Sequence, residues 1–156
     1  MSSTAHHRFR PLPGHWRGIA RTWFEPGVLA DESPVEGQAR LRQGGRFLEW
    51  EYHGALQGRP LEGFLVAGYF GLRARWEVAW TDTFHMGDGL LFSTGASTAD
   101  GFDVLGHYPD GRGGPDWGWR TVLAVQSADR FVLTAYNVMP DGSESQATQA
   151  LLERRR

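Results

Sequence analysis

The sequence predicts an all-β fold, a closed antiparallel up-and-down β-barrel of about ten strands around an interior pocket. The first observation is that short runs of alternating apolar and polar residues recur between turn signals. The second is composition, because 21 Gly and 8 Pro accompany 7 Trp, 4 Tyr and 9 Phe in 156 residues. The third is that the connections are short, and short loops join antiparallel neighbours.

Each predicted strand is bounded by a turn signal. Most signals contain glycine, which supplies the positive φ that tight turns need. Residues 25–33 are the one segment where a short turn of helical period is expected. The predicted turns between strands are Gln57-Gly58, Leu72-Arg73, Gly87-Asp88, Asp100-Gly101, Ser127-Ala128 and Asp141-Gly142. The predicted strands are 15–24, 35–42, 46–56, 59–70, 75–85, 89–98, 102–109, 117–126, 130–139 and 143–154. We therefore expect one barrel domain over residues 14–156, preceded by a disordered segment, 1–13.

Tight turns also predict the register, because a two-residue loop determines which residues of the two strands face each other. The expected pairs across five strands are Tyr52 with Gly63, Trp50 with Leu65, Leu48 with Ala67, Gly63 with Asp82, Leu65 with Trp80, Ala67 with Val78, Asp82 with Ser93, Trp80 with Gly95, Ser93 with Tyr108 and Gly95 with Gly106. The last three strands align Trp119 with Tyr136 and Ala147, and Thr121 with Thr134 and Gln149. Arg120 is then on the opposite face, although a slip of one residue brings it inside.

This register collects the large apolar residues on one face, which must be the lumen. Within it we expect a layer in which Trp50 and Trp80 stand beside Gly95 and Gly106. The next layer is a polar band of Tyr52, Asp82, Ser93 and Tyr108, where Gly63 leaves space for a ligand.

Composition excludes several functions. All 16 cationic residues are Arg and the net charge is −2, so no electrostatic feature favours nucleic acid. The chain has no cysteine, which excludes disulfides and thiolate metal sites, and no lysine, which excludes Schiff-base chemistry on a lysine. No apolar run reaches the ~20 residues of a membrane span, and residues 1–10 lack the hydrophobic stretch of a signal peptide, so we expect a cytoplasmic protein. Strands that are apolar on both faces, such as 64–70 and 131–138, favour a homodimer.

An ordered series of short motifs resembles a known family. The motifs are Gly44-Gly45-Arg46-Phe47-Leu48, Glu51-Tyr52-x-Gly54, Gly58-x-x-x-Glu62-Gly63, Gly68-Tyr69, Trp80-x-Asp82, Ser93-x-Gly95 and Pro140-Asp141-Gly142-x-Glu144. Together they resemble the bacterial calycin-like family catalogued as domain of unknown function 1579. The resemblance implies a barrel related to lipocalins, fatty-acid-binding proteins and nitrobindins, and it implies no established activity. Gly14-x-Trp16 also resembles the lipocalin signature, in which an Arg from the last strand covers the Trp; Arg154 or Arg155 is expected to do so.

Metal and haem are disfavoured, so no cofactor is expected. The six His residues contain no His-x-His or His-Glu-x-x-His spacing, and no His follows His107, where nitrobindin-like barrels carry their haem ligand. By the expected register His53 faces outward and His85 faces outward or lies at the rim. A hydrolase triad of Ser93, His107 and Asp103 is disfavoured because the partners lie on the face opposite Ser93.

Three functions remain, and Asp82 is central to two of them. The first is binding of a small apolar or aromatic ligand in the lumen, by a set of residues consisting of Trp50, Tyr52, Trp80, Asp82, Ser93, Tyr108, Trp119 and Tyr136. The second is a cyclase or isomerase with Asp82 as general acid or base, because burial between Trp80 and Phe84 disfavours its charged form. The third is an assembly protein with a filled interior.

Overall fold

The chain forms a closed barrel of ten antiparallel strands in up-and-down order, as predicted. The computed structural model describes residues 4–156. The strands are β1 (Gly14–Glu25), β2 (Val28–Arg42), β3 (Phe47–Leu56), β4 (Arg59–Phe70), β5 (Arg75–Asp82), β6 (Leu91–Ser97), β7 (Gly101–Tyr108), β8 (Trp117–Ser127), β9 (Arg130–Val138) and β10 (Glu144–Arg154). Two short 3₁₀ helices lie at Thr4–Phe9 and Gly71–Arg73. Pairing of β1 with β10 closes the barrel.

The central register is confirmed over three strands. Tyr52 pairs with Gly63 and Gly63 with Asp82, and the neighbouring pairs follow as expected. Beyond Asp82 the predicted register is wrong by an even number of residues, because β5 ends at Asp82 and residues 83–90 form a loop. Ser93 therefore pairs with Val78 and Gly106 instead of Asp82 and Tyr108. An even shift keeps every residue on its predicted face.

The register of the last three strands contains a slip of one residue. Trp119 pairs with Asn137, and Arg120 pairs with Tyr136, after an irregularity between Val125 and Ser127. Tyr136 is thereby moved to the outer face, where the Arg120 guanidinium lies 4.3 Å from its ring centre. The predicted lumen position of Tyr136 is wrong because a β-bulge inserts one extra residue and inverts the faces beyond it. Arg120 stays outside, bonded to Asp103 and Glu144.

The second strand is longer than predicted. β2 begins at Val28, so the expected turn over residues 25–33 is wrong. Only Pro26 and Gly27 connect β1 to β2, and Gly27 has the positive φ (72°) that so tight a connection requires. β1 is bulged near Trp23, which accommodates the hairpin end.

The N-terminal segment packs on the barrel from residue 4, where a disordered segment was expected over residues 1–13. Phe9 and Leu12 are buried at one end of the barrel, and the Phe9 ring lies 4.9 Å from that of Trp76. The Trp16 indole N–H donates to the Leu12 carbonyl over 2.8 Å. Two large apolar side chains thus supply the burial that orders the segment. Residues 1–3 lie outside the described residues.

Arg154 fastens this segment to the barrel and confirms the expected cover of Trp16. Its guanidinium lies 4.5 Å from the Trp16 ring centre and donates to the carbonyls of Pro11, Pro13 and Ala128. We call this closed end the floor and the opposite end the mouth. The floor half of the lumen is filled by apolar side chains, among them Trp76, Phe102, Leu123 and Phe131. Open space is therefore left to the mouth half. Among residues 4–156, no helix has the length and apolar character needed to cross a membrane.

Candidate functional site

A cavity of about 100 Å³ occupies the mouth half of the lumen. Its walls include four aromatic side chains, one carboxylate and one imidazole, supplied by Trp50, Tyr52, Trp80, Trp119, Asp82 and His85. Five of these six residues were predicted from the sequence as a ligand site. The interior is therefore largely filled but not completely so.

Two indoles form the flattest part of the aromatic wall. Trp80 of β5 and Trp119 of β8 stack with ring centres 5.3 Å apart and planes inclined by 9°. Both side chains point into the lumen because their strands alternate faces, and the Trp119 side chain packs against Leu91, Ala135 and Ala147. The two stacked indoles present an extended apolar surface to the cavity.

Threonine side chains from three strands form a further part of the wall. The register aligns Thr22 of β1 with Thr148 of β10, Thr148 with Ala135 of β9, and Ala135 with Thr121 of β8. All four residues line the cavity. We call the three threonines the threonine arc; it is separate from Asp82 and His85, which lie at the end of β5 and in the loop that follows.

Asp82 ends β5 and organises the loop that follows. Its side chain is buried, with the residue only 4% exposed. One carboxylate oxygen accepts the backbone N–H groups of Phe84 (3.0 Å) and His85, while the other lies 2.7 Å from Nδ1 of His85. A carboxylate that accepts backbone N–H groups two and three residues later stabilises a tight turn. This turn returns the His85 ring to the carboxylate.

Tyr52 connects this cluster to the aromatic wall. Its hydroxyl accepts the Trp80 indole N–H over 2.9 Å, and its ring covers the backbone of Gly63. Burial raises the pKa of Tyr52, and the nearby Asp82 carboxylate raises it further. Tyr52 is therefore a neutral hydroxyl at every physiological pH.

His85 belongs to the site, and sequence reasoning missed it by placing it outward or at the rim. Its side chain is 16% exposed and contacts Trp80 and Trp119, with ring centres 5.8 and 5.1 Å away. The signal that was available is the spacing Asp82-x-x-His85 at a strand end, since an Asp-initiated turn brings the third following residue back to the carboxylate.

The remaining predicted residues do not line the cavity. Ser93 is buried on the lumen face, but the register places it nearer the floor than expected. Tyr108 lies near the mouth, where its hydroxyl donates to Asn137 over 2.6 Å; burial raises its pKa. Tyr136 is outside.

The glycines expected to open the lumen do not open it. At Gly63 the Tyr52 ring fills the space, and at Gly106 the Ser93 hydroxyl does so. At Gly95 the backbone of Asp103 lies too close for any side chain. The cavity is instead bounded by small residues of the other strands, including Ala20, Ala135 and Ala150.

Metal binding finds no support in the donor geometry. Within the described part of the chain, no three His, Cys, Asp or Glu side chains are grouped closely enough to hold an ion. Asp82 and His85 form a pair without a third such ligand.

Several solved structures have a similar fold. A de novo designed fluorescence-activating β-barrel matches with a TM-score of 0.50 and 16% identity, over 99% of this chain and 100% of that one. The structure of EF1p2_mFAP2b bound to DFHBI matches with a TM-score of 0.52 and 12% identity, over 97% of this chain and 99% of that one. The S-type phycobiliprotein lyase CPES from Guillardia theta matches with a TM-score of 0.53 and 11% identity, over 96% of this chain and 92% of that one. At these identities the likeness shows the fold alone.

A search of curated proteins found no match. A family model does match, over residues 2–154, and thus covers nearly the whole barrel together with its N-terminal segment. The chain belongs to the family described as "Protein of unknown function (DUF1579)".

Proposed function

We propose that this protein binds a small, largely apolar aromatic molecule in the mouth half of its barrel. The observation that carries the proposal is the cavity itself, because open space lined by four aromatic side chains remains in an otherwise close-packed lumen. Trp80, Trp119 and Trp50 supply apolar contact area, and Tyr52 and Asp82 complete the wall. Ser93, Tyr108 and Tyr136 have no part in this contact.

The cavity volume sets the size of the ligand. At about 100 Å³ it is somewhat smaller than the ~150 Å³ engineered cavity that holds benzene. A single aromatic ring is therefore about the largest group that the cavity accommodates, and substituents on that ring require small movements of the lining side chains. A fused or multi-ring ligand requires the loop of residues 83–90 to move.

The fold neighbours are consistent with this use of the architecture. One is described as fluorescence-activating, another as bound to DFHBI, and a third as a phycobiliprotein lyase. We take from them the general expectation that a barrel of this kind binds a small molecule.

Stabilisation by nitrobenzene tests the proposal. A ligand that binds only the folded state raises its stability by about 2.7 kcal/mol at a hundredfold excess over Kd, which corresponds to roughly 5–11 °C in Tm for a domain of this size. We expect nitrobenzene to raise Tm in the unaltered protein and not in Ala135→Leu, which fills the cavity. Ala79→Leu, on the outer face, is the matched control and should respond like the unaltered protein. Absence of any nitrobenzene effect at saturation, with all three proteins folded, contradicts the proposal.

Acid–base catalysis is a second candidate, favoured by one observation, the contact between Asp82 and His85. An isomerase acting on a carbonyl compound needs a base near the ligand, and this pair lies in the cavity wall. Deuterium exchange at the methyl group of acetophenone in D₂O tests it. If the protein makes the exchange faster than it is in buffer alone, and His85→Phe abolishes this acceleration, the result supports an enzyme. Exchange at the buffer rate supports a binding protein.

Homodimerisation stays a prediction. Phe64 of β4, Phe92 of β6 and Leu105 of β7 are exposed apolar residues of the outer face. Sedimentation equilibrium of the unaltered protein and of Phe92→Asp tests whether this face associates. A dimer that Phe92→Asp dissociates supports the prediction, and a monomer at all concentrations contradicts it.

A further inference from the structure

Among the polar groups of residues that line the cavity, two kinds without a hydrogen-bond partner in the described part of the chain bear on the ligand. The first is Nε2 of His85. A carboxylate has no proton to give, so the short contact with Asp82 requires Nδ1 of His85 to be the donor. In the neutral imidazole the proton is then on Nδ1, and Nε2 is an acceptor. Among the described residues, none donates a hydrogen bond to that nitrogen.

The second kind is hydroxyl. Thr22, Thr121 and Thr148 line the cavity from three different strands. Within residues 4–156 their hydroxyl groups form no hydrogen bond to other protein groups. Each hydroxyl can donate to an acceptor of the ligand. The threonine arc therefore offers donors, whereas His85 offers an acceptor.

These groups restrict the ligand more than the apolar wall does. A buried polar group left unpaired by a bound ligand costs about 1–3 kcal/mol, so a purely apolar ring leaves the site unsatisfied. A complementary ligand carries a donor toward His85, a flat apolar middle against the indoles, and an acceptor toward the threonine arc. The cavity volume limits that middle to one ring.

We propose that the ligand is a single-ring phenol with a hydrogen-bond acceptor on the far side of the ring, and that its hydroxyl binds Nε2 of His85. The inference rests on the proposed function and names the ligand class of the same site. When the phenol is acidic enough, its O–H bond breaks and an Nε2–H bond forms, which leaves the oxygen negative and the imidazole positive. No other reactant takes part.

The charged groups around His85 are compatible with transfer of the phenol proton to Nε2. Asp82 lies on the Nδ1 side, where its carboxylate is 2.7 Å from the ring nitrogen. Tyr52, from β3, faces Asp82 and stays neutral because burial raises its pKa. Arg21, from β1, lines the cavity but forms an ion pair with Glu32 at 2.7 Å. The contacts from β8 and the loop are the uncharged rings of Trp119 and Phe84.

Binding of 4-nitrophenol and nitrobenzene, measured by calorimetry on the full chain, separates this inference from the proposed function. The two molecules share the ring and the nitro acceptor and differ in the phenolic hydroxyl. We expect 4-nitrophenol to bind about tenfold more tightly or better, since one charge-assisted hydrogen bond is gained. At a pH where free 4-nitrophenol is colourless, the complex should show the yellow band of the phenolate.

Variants identify the partners. His85→Phe keeps an aromatic ring against Trp80 and Trp119 but has no acceptor, so it should bind both molecules equally and remain colourless. His53→Phe, at an exposed outer position, is the matched control and should behave as the unaltered protein. Thr148→Val removes one hydroxyl at nearly constant side-chain volume. It should weaken the binding of 4-nitrophenol and of nitrobenzene by the same factor, because both molecules carry the nitro group.

Each result decides the matter. Tighter binding of 4-nitrophenol that depends on His85 supports the inference. Equal affinities that His85→Phe leaves unchanged overturn it while the proposed function stands. Binding of neither molecule, in protein that unfolds cooperatively, overturns both.

Discussion

The Trp80 indole N–H donates a 2.9 Å hydrogen bond to the Tyr52 hydroxyl across the intervening strand β4. The two side chains meet because Gly63, which pairs with both Tyr52 and Asp82, has no side chain to separate them. One glycine thus allows a tyrosine to cover its backbone, to hold the indole that faces the cavity and to lie beside the buried carboxylate.

Replacing Gly63 by alanine should disturb this arrangement. A Cβ at this position would overlap the Tyr52 ring, so the ring must move and its bond to Trp80 is strained. We expect a loss of about 1–3 kcal/mol in the free energy of unfolding, measured by urea denaturation. Gly71→Ala is the control because no atom lies near its Cβ position, and it should change stability by less than about 0.5 kcal/mol. Equal stability of the two variants would show that the Tyr52 ring is not held against Gly63.

Tyr52→Phe should alter the dependence of stability on alkaline pH. Burial and the Asp82 carboxylate raise the pKa of Tyr52 above its ordinary value of 10.0, so above that pH the unfolded chain loses this proton while the folded chain keeps it. The unaltered protein then loses up to about 1.4 kcal/mol of stability per pH unit through this group, and the Phe variant does not.

At neutral pH the Phe variant should be less stable by about 1 kcal/mol, because a buried hydrogen bond is missing. The difference should therefore shrink above pH 10.0. Urea denaturation between about pH 8 and about pH 11 measures it. A difference that stays constant over this range would contradict the placement of the Tyr52 hydroxyl beside Asp82.

Arg154→Met should loosen the floor. The substitution removes the cation–π contact with Trp16 and the hydrogen bonds to the carbonyls of Pro11 and Pro13. We expect the free energy of unfolding, measured by urea denaturation, to fall by about 2–3 kcal/mol, and amide hydrogen exchange in residues 4–13 to become faster. Arg156→Met is the control, because that side chain is largely exposed. If both variants exchange at the same rate, Arg154 does not hold the segment.

Phe24→Ala should speed the release of a bound aromatic molecule. The Phe24 ring stacks on Phe84 at 5.6 Å and connects the mouth end of β1 to the loop that carries His85, although three strands separate β1 from β5 around the barrel. We expect faster dissociation of nitrobenzene, measured by NMR line broadening, because an aromatic pair contributes about 0.5–1.5 kcal/mol to holding that loop. Phe92→Ala, on the outer face, should leave the rate unchanged. Identical rates in both variants would mean that the stack does not restrict the mouth.

The sequence predicted the fold well because its signals are local. Two-residue turns such as Gln57-Gly58 set the register arithmetically, and the pairs of Tyr52, Gly63 and Asp82 follow from them. The errors arose where a turn signal was recognised but the connection is longer than two residues. The loop after Asp82 shortened β5 and concealed His85, whose position depends on hydrogen bonds to a carboxylate rather than on strand alternation.

Bulges and burial explain the other differences. The bulge near the floor end of β8 has no distinctive residue, so the outward position of Tyr136 was not predictable from alternation. The N-terminal segment is too short to show periodicity, and only the complementary barrel end gives Phe9 and Leu12 a place to be buried. The shape of the cavity depends on the conformations of side chains such as Tyr52, whose ring covers Gly63. No pattern in the sequence specifies those conformations.

Indole N–H resonances give the most direct test of ligand binding in the mouth half of the lumen. Trp80 lines the cavity with its N–H on Tyr52, whereas Trp16 and Trp76 lie at the floor with their N–H groups on Leu12 and Ser97. In a ¹H–¹⁵N spectrum of the full chain titrated with nitrobenzene, we predict that the Trp80 resonance shifts in a saturable way and that the Trp16 and Trp76 resonances stay in place. A spectrum in which Trp80 does not move at saturating nitrobenzene, or in which only the floor indoles move, would contradict the account.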